Sequence, residues 1–143
     1  MKVQGHSIEL HSLEHNNELF ELPKKTKDDI NGTINIMNKM SINSKYFRAP
    51  WGHYNIVSIF LLWRNNLKMI LWDVMAEDWK KNTTKDIIAG KIINRSKKGD
   101  IICLHDGRGS NDAPSRMIEA LEIALPVLIS KGYIFKTIEE YNG

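Results

Sequence analysis

At 143 residues, 42% hydrophobic and 26% charged, the chain has the composition of one folded domain spanning 1–143, and not that of a disordered or membrane-embedded segment. Its single cysteine, Cys103, excludes an internal disulfide and a cysteine-based zinc cluster, and the apolar setting Ile101-Ile102-Cys103-Leu104 predicts a buried, inert thiol. The net charge of +3 comes from scattered basic residues without interleaved aromatics, which argues against nucleic acid. The longest apolar run, 56–63, falls far short of the about 20 residues of a membrane span, and the first residues lack the apolar stretch of a signal peptide.

Five short apolar runs, at 7–11, 45–47, 68–73, 100–105 and 133–137, predict strands. Residues 69–72 and 101–104 are apolar on both faces, as in parallel strands covered by helices. Helical segments fall between these runs. Thr26 is placed to cap a helix carrying Ile30, Ile34, Met37 and Met40, and residues 55–64 form a second. Thr83 or Thr84 opens a third, with Ile87, Ile88, Ile92 and Ile93. Asp112, with Pro114 two residues on, starts a fourth through Ile118, Leu121, Leu125 and Leu128; Pro126 is a point for a kink and Gly132 a stop. The alternation predicts a parallel α/β sheet, in which active sites gather at the C-terminal ends of strands. His11, Arg48, Asp73 and His105 are expected at or just past such ends.

Each of those residues belongs to a cluster. In Gly5-His6-Ser7-Ile8-Glu9-Leu10-His11-Ser12-Leu13-Glu14-His15, the spacing offers His11 and His15 to one metal if the chain turns helical after the strand. A surface turn with two solvated histidines is the simpler alternative, and His6 is read as exposed. In Phe47-Arg48-Ala49-Pro50-Trp51-Gly52-His53-Tyr54-Asn55, Arg48 can hold a carboxylate, and Pro50 and Gly52 force a tight loop whose N–H groups can face a bound oxygen. An ordinary strand-to-helix loop with Asn55 as N-cap satisfies the same residues, and His53 is assigned to the surface.

In Leu71-Trp72-Asp73-Val74-Met75-Ala76-Glu77-Asp78-Trp79, acids and tryptophans can make a carboxylate site with an aromatic wall. Trp79 is the groove candidate and Trp72 belongs to the core. In Gly99-Asp100-Ile101-Ile102-Cys103-Leu104-His105-Asp106-Gly107, His105 is a general acid or base if a carboxylate fixes its tautomer; by itself it reads as a hydrogen-bonded core histidine. The following Gly107-Arg108-Gly109-Ser110 lacks the phosphate-loop pattern and reads as a flexible turn.

Taken in order, these clusters resemble the NodB-homology, or polysaccharide deacetylase, family. GHSIELHSLEH is similar to its GHEIGNHTxxH metal motif, FRAPWG to RxPxG, WDVMAEDW to DxxDW, and IICLHD to LHD. The resemblance covers residues 5–140 and implies an incomplete, distorted (β/α) barrel. It implies metal-dependent removal of N-acetyl groups from amino-sugar polymers such as peptidoglycan or chitin-like glycans.

The same resemblance assigns roles. His11 and His15 would ligate a divalent metal, usually zinc in the family and sometimes cobalt. Arg48 would orient the catalytic base, and the backbone N–H of Trp51 would help hold the oxyanion. Asp78 would pair with His105, which would protonate the departing amine. Leu104 would line the acetyl pocket and Trp79 the sugar groove. Glu9-Leu10 stands where Gly-Asn is commoner, and Asn16 where proline often follows the second histidine.

A TFDDGP-like motif, the family's source of the base and third metal ligand, is not found in these residues. The resemblance therefore implies a domain truncated before its HxxxH motif, without its first strand and with little or no activity. It also implies an exposed edge beside the strand ending at His11, open to self-association. The alternative is a non-catalytic glycan- or partner-binding remnant. Intact relatives are usually extracellular or cell-surface proteins.

Overall fold

The structure is a computed structural model that describes residues 2–107 and 109–140. The chain divides into two compact units, Met1–Leu71 and Trp72–Gly143. Among the described residues, each contains one pair of parallel strands and two α-helices, with short 3-10 turns besides.

In the first unit, β1 (Tyr46–Phe47) pairs in parallel with β2 (Lys68–Met69), Tyr46 opposite Lys68 and Phe47 opposite Met69. On its other side β1 meets the chain at 7–11 through a single parallel bridge, Leu10 to Phe47. Helix α1 (Pro23–Lys39) begins four residues earlier than a Thr26 cap predicts, with Pro23 in its first turn, because a fixed φ and a missing N–H suit that position. Thr26 is therefore not the cap; it is buried one turn inside. Helix α2 (Ile56–Arg64) starts where expected. The Asn55 side-chain oxygen accepts from the N–H groups of Val57 and Ser58, while its amide donates to the Glu18 carbonyl and the Thr26 hydroxyl. These helices bury Ile30, Leu61 and Leu62 with Leu10, Phe47 and Ala49. Phe47 and Ile30 have no exposed surface, and each contributes roughly 1.5–3 kcal/mol of burial.

In the second unit, β3 (Val74–Met75) pairs in parallel with β4 (Ile102–Cys103), Val74 opposite Ile102 and Met75 opposite Cys103. Helix α3 (Lys85–Arg95) is capped by Thr84, whose hydroxyl accepts from the Ile87 N–H. Helix α4 (Ala113–Ser130) continues through Pro126. The small residues Ala89, Ala120 and Ala124 let α3 and α4 pack closely, with Ala76, Ile88, Ile92 and Leu128 completing the core. Cys103 is buried, as expected.

Three strand expectations fail: the run 7–11 contributes only the isolated bridge at Leu10. The run 68–73 is not one strand: residues 68–69 are β2 of the first unit, and β3 of the second begins only at Val74. Asp73 thus stands before a strand and not at its end. Its carboxylate accepts from the Ile101 N–H at 2.9 Å, which ties the starts of β3 and β4 together. Residues 133–137 form no strand, because an apolar run becomes one only when a neighbour takes its hydrogen bonds. Tyr133 closes the end of α4 instead: its N–H donates to the Leu128 carbonyl and its hydroxyl to the Ser96 carbonyl.

Candidate active site

In the first unit His11 and His15 come together without a helix. After the bridge at Leu10 the chain enters a loop in which Ser12 (φ 69°) and His15 (φ 56°) are left-handed. This corrects the expectation that a helical turn would align the pair. The imidazole centroids are 5.0 Å apart, with ring planes at 82°. The loop holds its shape through Asp29 of α1, whose carboxylate accepts from the Leu13 N–H at 3.1 Å and the Glu14 N–H at 2.7 Å. The Ser12 hydroxyl accepts from the His15 N–H at 3.0 Å. Gly32 lies beneath, where a Cβ would come within 3.0 Å of the Leu13 side chain.

His11 Nδ1 lies 2.8 Å from the Arg48 carbonyl oxygen. A carbonyl only accepts, so Nδ1 carries the proton and Nε2 presents its lone pair. That orientation, fixed by a backbone acceptor, suits a metal-binding histidine. The Arg48 N–H donates to the Leu10 carbonyl at 2.9 Å, so the backbone around Arg48 braces the histidine segment at both Leu10 and His11. Arg48 itself is half-buried. Trp51 occupies a tight turn with φ 60°, a conformation that costs an ordinary residue about 1–3 kcal/mol. Its exposed indole meets His15 edge-on at 5.9 Å.

Behind this turn lies Glu18, which composition gave no reason to single out. It is buried, its Oε2 accepts from the Ser58 hydroxyl, and burial pushes its carboxyl above the ordinary range against the opposing pull of Ser58.

In the second unit the central pair is Asp78 and His105. Asp78 is fully buried; its Oδ2 accepts from the His105 backbone N–H at 2.6 Å and its Oδ1 lies 3.0 Å from His105 Nδ1. The carboxylate holds Nδ1–H, so Nε2 is the atom left to exchange a proton. Trp79 packs edge-on against the imidazole at 5.0 Å. Leu104 is half-buried against the core of this unit. Glu77 is left-handed (φ 59°) and accepts from the ammonium groups of Lys80 and Lys91, which hold its carboxyl down to about 2. His6 and His53 are exposed, as predicted, and Trp72 is half-buried outside any strand.

Among the described residues no group of three or more His, Cys, Asp or Glu is placed to hold a metal ion. The first unit therefore offers an ion two imidazoles, one of them oriented by a carbonyl. Among the described residues no helix is long and apolar enough to cross a membrane. Asp29 and Glu77 are contributors that motif reading missed. A helix residue reaching back 15 or 16 positions to a loop has no sequence signature, and neither has a glutamate whose lysine partners stand 3 and 14 positions on.

The polysaccharide deacetylase family model matches residues 1–70. A peptidoglycan-N-acetylglucosamine deacetylase of Bacillus cereus is 30% identical over 139 residues, covering 96% of this chain and 63% of the relative. Among solved structures, a family 4 acetyl xylan esterase from Clostridium thermocellum, in complex with a cobalt ion, superposes with a TM-score of 0.82 at 30% identity. That match covers 99% of this chain and 66% of the esterase. A peptidoglycan N-acetylglucosamine deacetylase bound to an N-hydroxybenzamide shares the fold, with a TM-score of 0.86 at 24% identity over 97% of this chain and 64% of the other. The fold and the motif set are those of the NodB-homology type. The polysaccharide deacetylase match takes in 70 of the chain's 143 residues, and the chain spans a little under two thirds of the length of these relatives.

Proposed function

We propose that the chain carries the chemistry of metal-dependent de-N-acetylation of amino-sugar polymers, peptidoglycan or chitin-like, by hydrolysis of a non-peptide carbon–nitrogen amide bond. The observation that carries this reading is the fully buried Asp78 holding both the backbone and the ring of His105. That arrangement suits a general acid whose Nε2 delivers a proton to a departing amine. Trp79 beside it forms part of the sugar groove, and Leu104 lines the acetyl pocket.

His11 and His15 hold the divalent ion, zinc by preference. When bound, the ion supplies Lewis acidity toward the acetyl carbonyl. The Trp51 N–H donates to the oxyanion, and Arg48 is the residue that would orient a catalytic base, which the TFDDGP-like motif supplies in the family and these residues do not. Acetate release from N-acetylglucosamine oligomers and from peptidoglycan, measured with added zinc, tests this. With no TFDDGP-like source of the base in these residues, the native chain releases acetate slowly at most, and H105A and H11A lower even that release; equal measurable rates in all three would overturn the proposal.

A second reading is a glycan-binding module without turnover. It is favoured by the two-histidine donor set, which lacks a third group among the described residues. Glycan binding without acetate release, unchanged in H105A, supports this second reading over the first.

A further inference from the structure

We propose that Arg116 is a positioning residue that sets where Trp79 and His105 sit, by gathering the two loops that carry them. The inference rests on the reading of His105 as the acid. Arg116 lies in the first turn of α4, and its guanidinium donates to three backbone carbonyls. Nε donates to Thr83 at 3.0 Å, and Nη2 donates to Lys80 at 3.1 Å and to Ser110 at 3.0 Å. Lys80 and Thr83 belong to the turn that leaves Trp79, and Ser110 to the loop that leaves His105. One planar group on a core helix therefore ties both loops to the same point.

Two further contacts show that the loops are docked on each other. The Ser110 N–H donates to the Trp79 carbonyl at 3.1 Å. Gly109, at φ 123°, runs so close that a Cβ there would lie 2.9 Å from Trp79 Cα and 2.5 Å from Ala113 Cβ. The three carbonyls lie on both sides of this close approach, and the Lys80 carbonyl also accepts from the Thr83 N–H at 3.2 Å. A guanidinium, with five N–H groups in a rigid fork, serves three at once; an ammonium on a flexible stem does not reproduce that geometry. Asp78 and Trp79 are adjacent in sequence, so a shift of the Trp79 backbone moves the carboxylate that fixes His105.

The test uses the full chain with R116A and R116K. The readouts are the 15N shifts of the His105 ring, which report whether Nδ1 carries the hydrogen-bonded proton, and the amide shifts of α3 and α4, which report the fold. The expected result is a displaced His105 Nδ1 signal in both variants, with α3 and most of α4 unchanged, since lysine keeps the charge and loses the fork. Native-like ring signals in either folded variant would overturn the proposal. Loss of the α3 and α4 signals in both would also overturn it, making Arg116 a residue of core stability. Because the readout is the ring and not acetate, a chain that releases no acetate defeats the proposed reaction and leaves this inference standing.

Discussion

The Asp78 carboxylate grips His105 at two points, accepting from the backbone N–H with one oxygen and facing ring Nδ1 with the other. An asparagine there keeps one acceptor and sets an amide N–H2 against the second donor. D78N is expected to lower stability by about 1–3 kcal/mol. Where acetate release is measurable, it is expected to fall on the order of 10²–10⁴-fold, the usual contribution of a general acid. Urea unfolding midpoints and acetate assays check the two effects; a fully active D78N would remove His105 from the acid role.

Asp29 clamps the His11–His15 loop from α1 without contacting either imidazole in the hydrogen bonds described. If the His11–His15 pair holds zinc as proposed, D29A is expected to weaken that binding about 10–100-fold, the range typical for groups that orient metal ligands. The α1 and α2 amide signals should stay in place. Competition with a zinc chelator measures the affinity, and unchanged affinity would mean that the loop holds its shape without Asp29.

Glu18 is buried and its carboxyl is pushed up, mainly by desolvation. The sign follows: a group whose folded value is raised contributes stability below its unfolded value and loses it as pH rises through the folded one. E18Q cannot ionise, so the stability of the native chain should fall relative to E18Q as pH rises above the ordinary glutamate range. Unfolding midpoints at a series of pH values would show the two curves separating; parallel curves would count against a Glu18 carboxyl raised by burial.

Glu77 has the opposite sign. Its carboxyl is held from 4.5 down to about 2 by Lys80 and Lys91. Its contribution is present above the ordinary glutamate value and is lost as pH falls between those limits. E77Q should therefore show a shallower acid loss of stability in that window. The Lys80 pair is exposed and the Lys91 pair part-buried, so high salt should shrink the difference mainly through the Lys80 pair.

The helices were legible because their signals are local. Asn55, Thr84 and the Asp112–Pro114 pair mark starts that the structure places within a residue or two. The α1 start is the exception: threonine is a common cap, but Pro23 suits the first turn better and the helix begins there. Strands were less legible, since 133–137 and 68–73 have strand composition but strand identity depends on a partner elsewhere in the chain. The four motifs led to the candidate residues, yet not to what shapes them. Left-handed backbone at Ser12 and His15, the Asp29 clamp and the Arg116 carbonyl contacts are all set by tertiary packing.

The left-handed residues Ser41 and Asn66 each follow a helix end, a position where such a conformation is routine. His15 and Trp51 have no such excuse, and at both the backbone would be more comfortable as glycine or asparagine. A library of this protein sorted only for heat tolerance would therefore be drawn toward those two replacements. It would gain on the order of 1–2 kcal/mol at each site and shed the imidazole and the indole in the same step. Resistance to heating is thus the wrong property by which to choose improved versions of this chain.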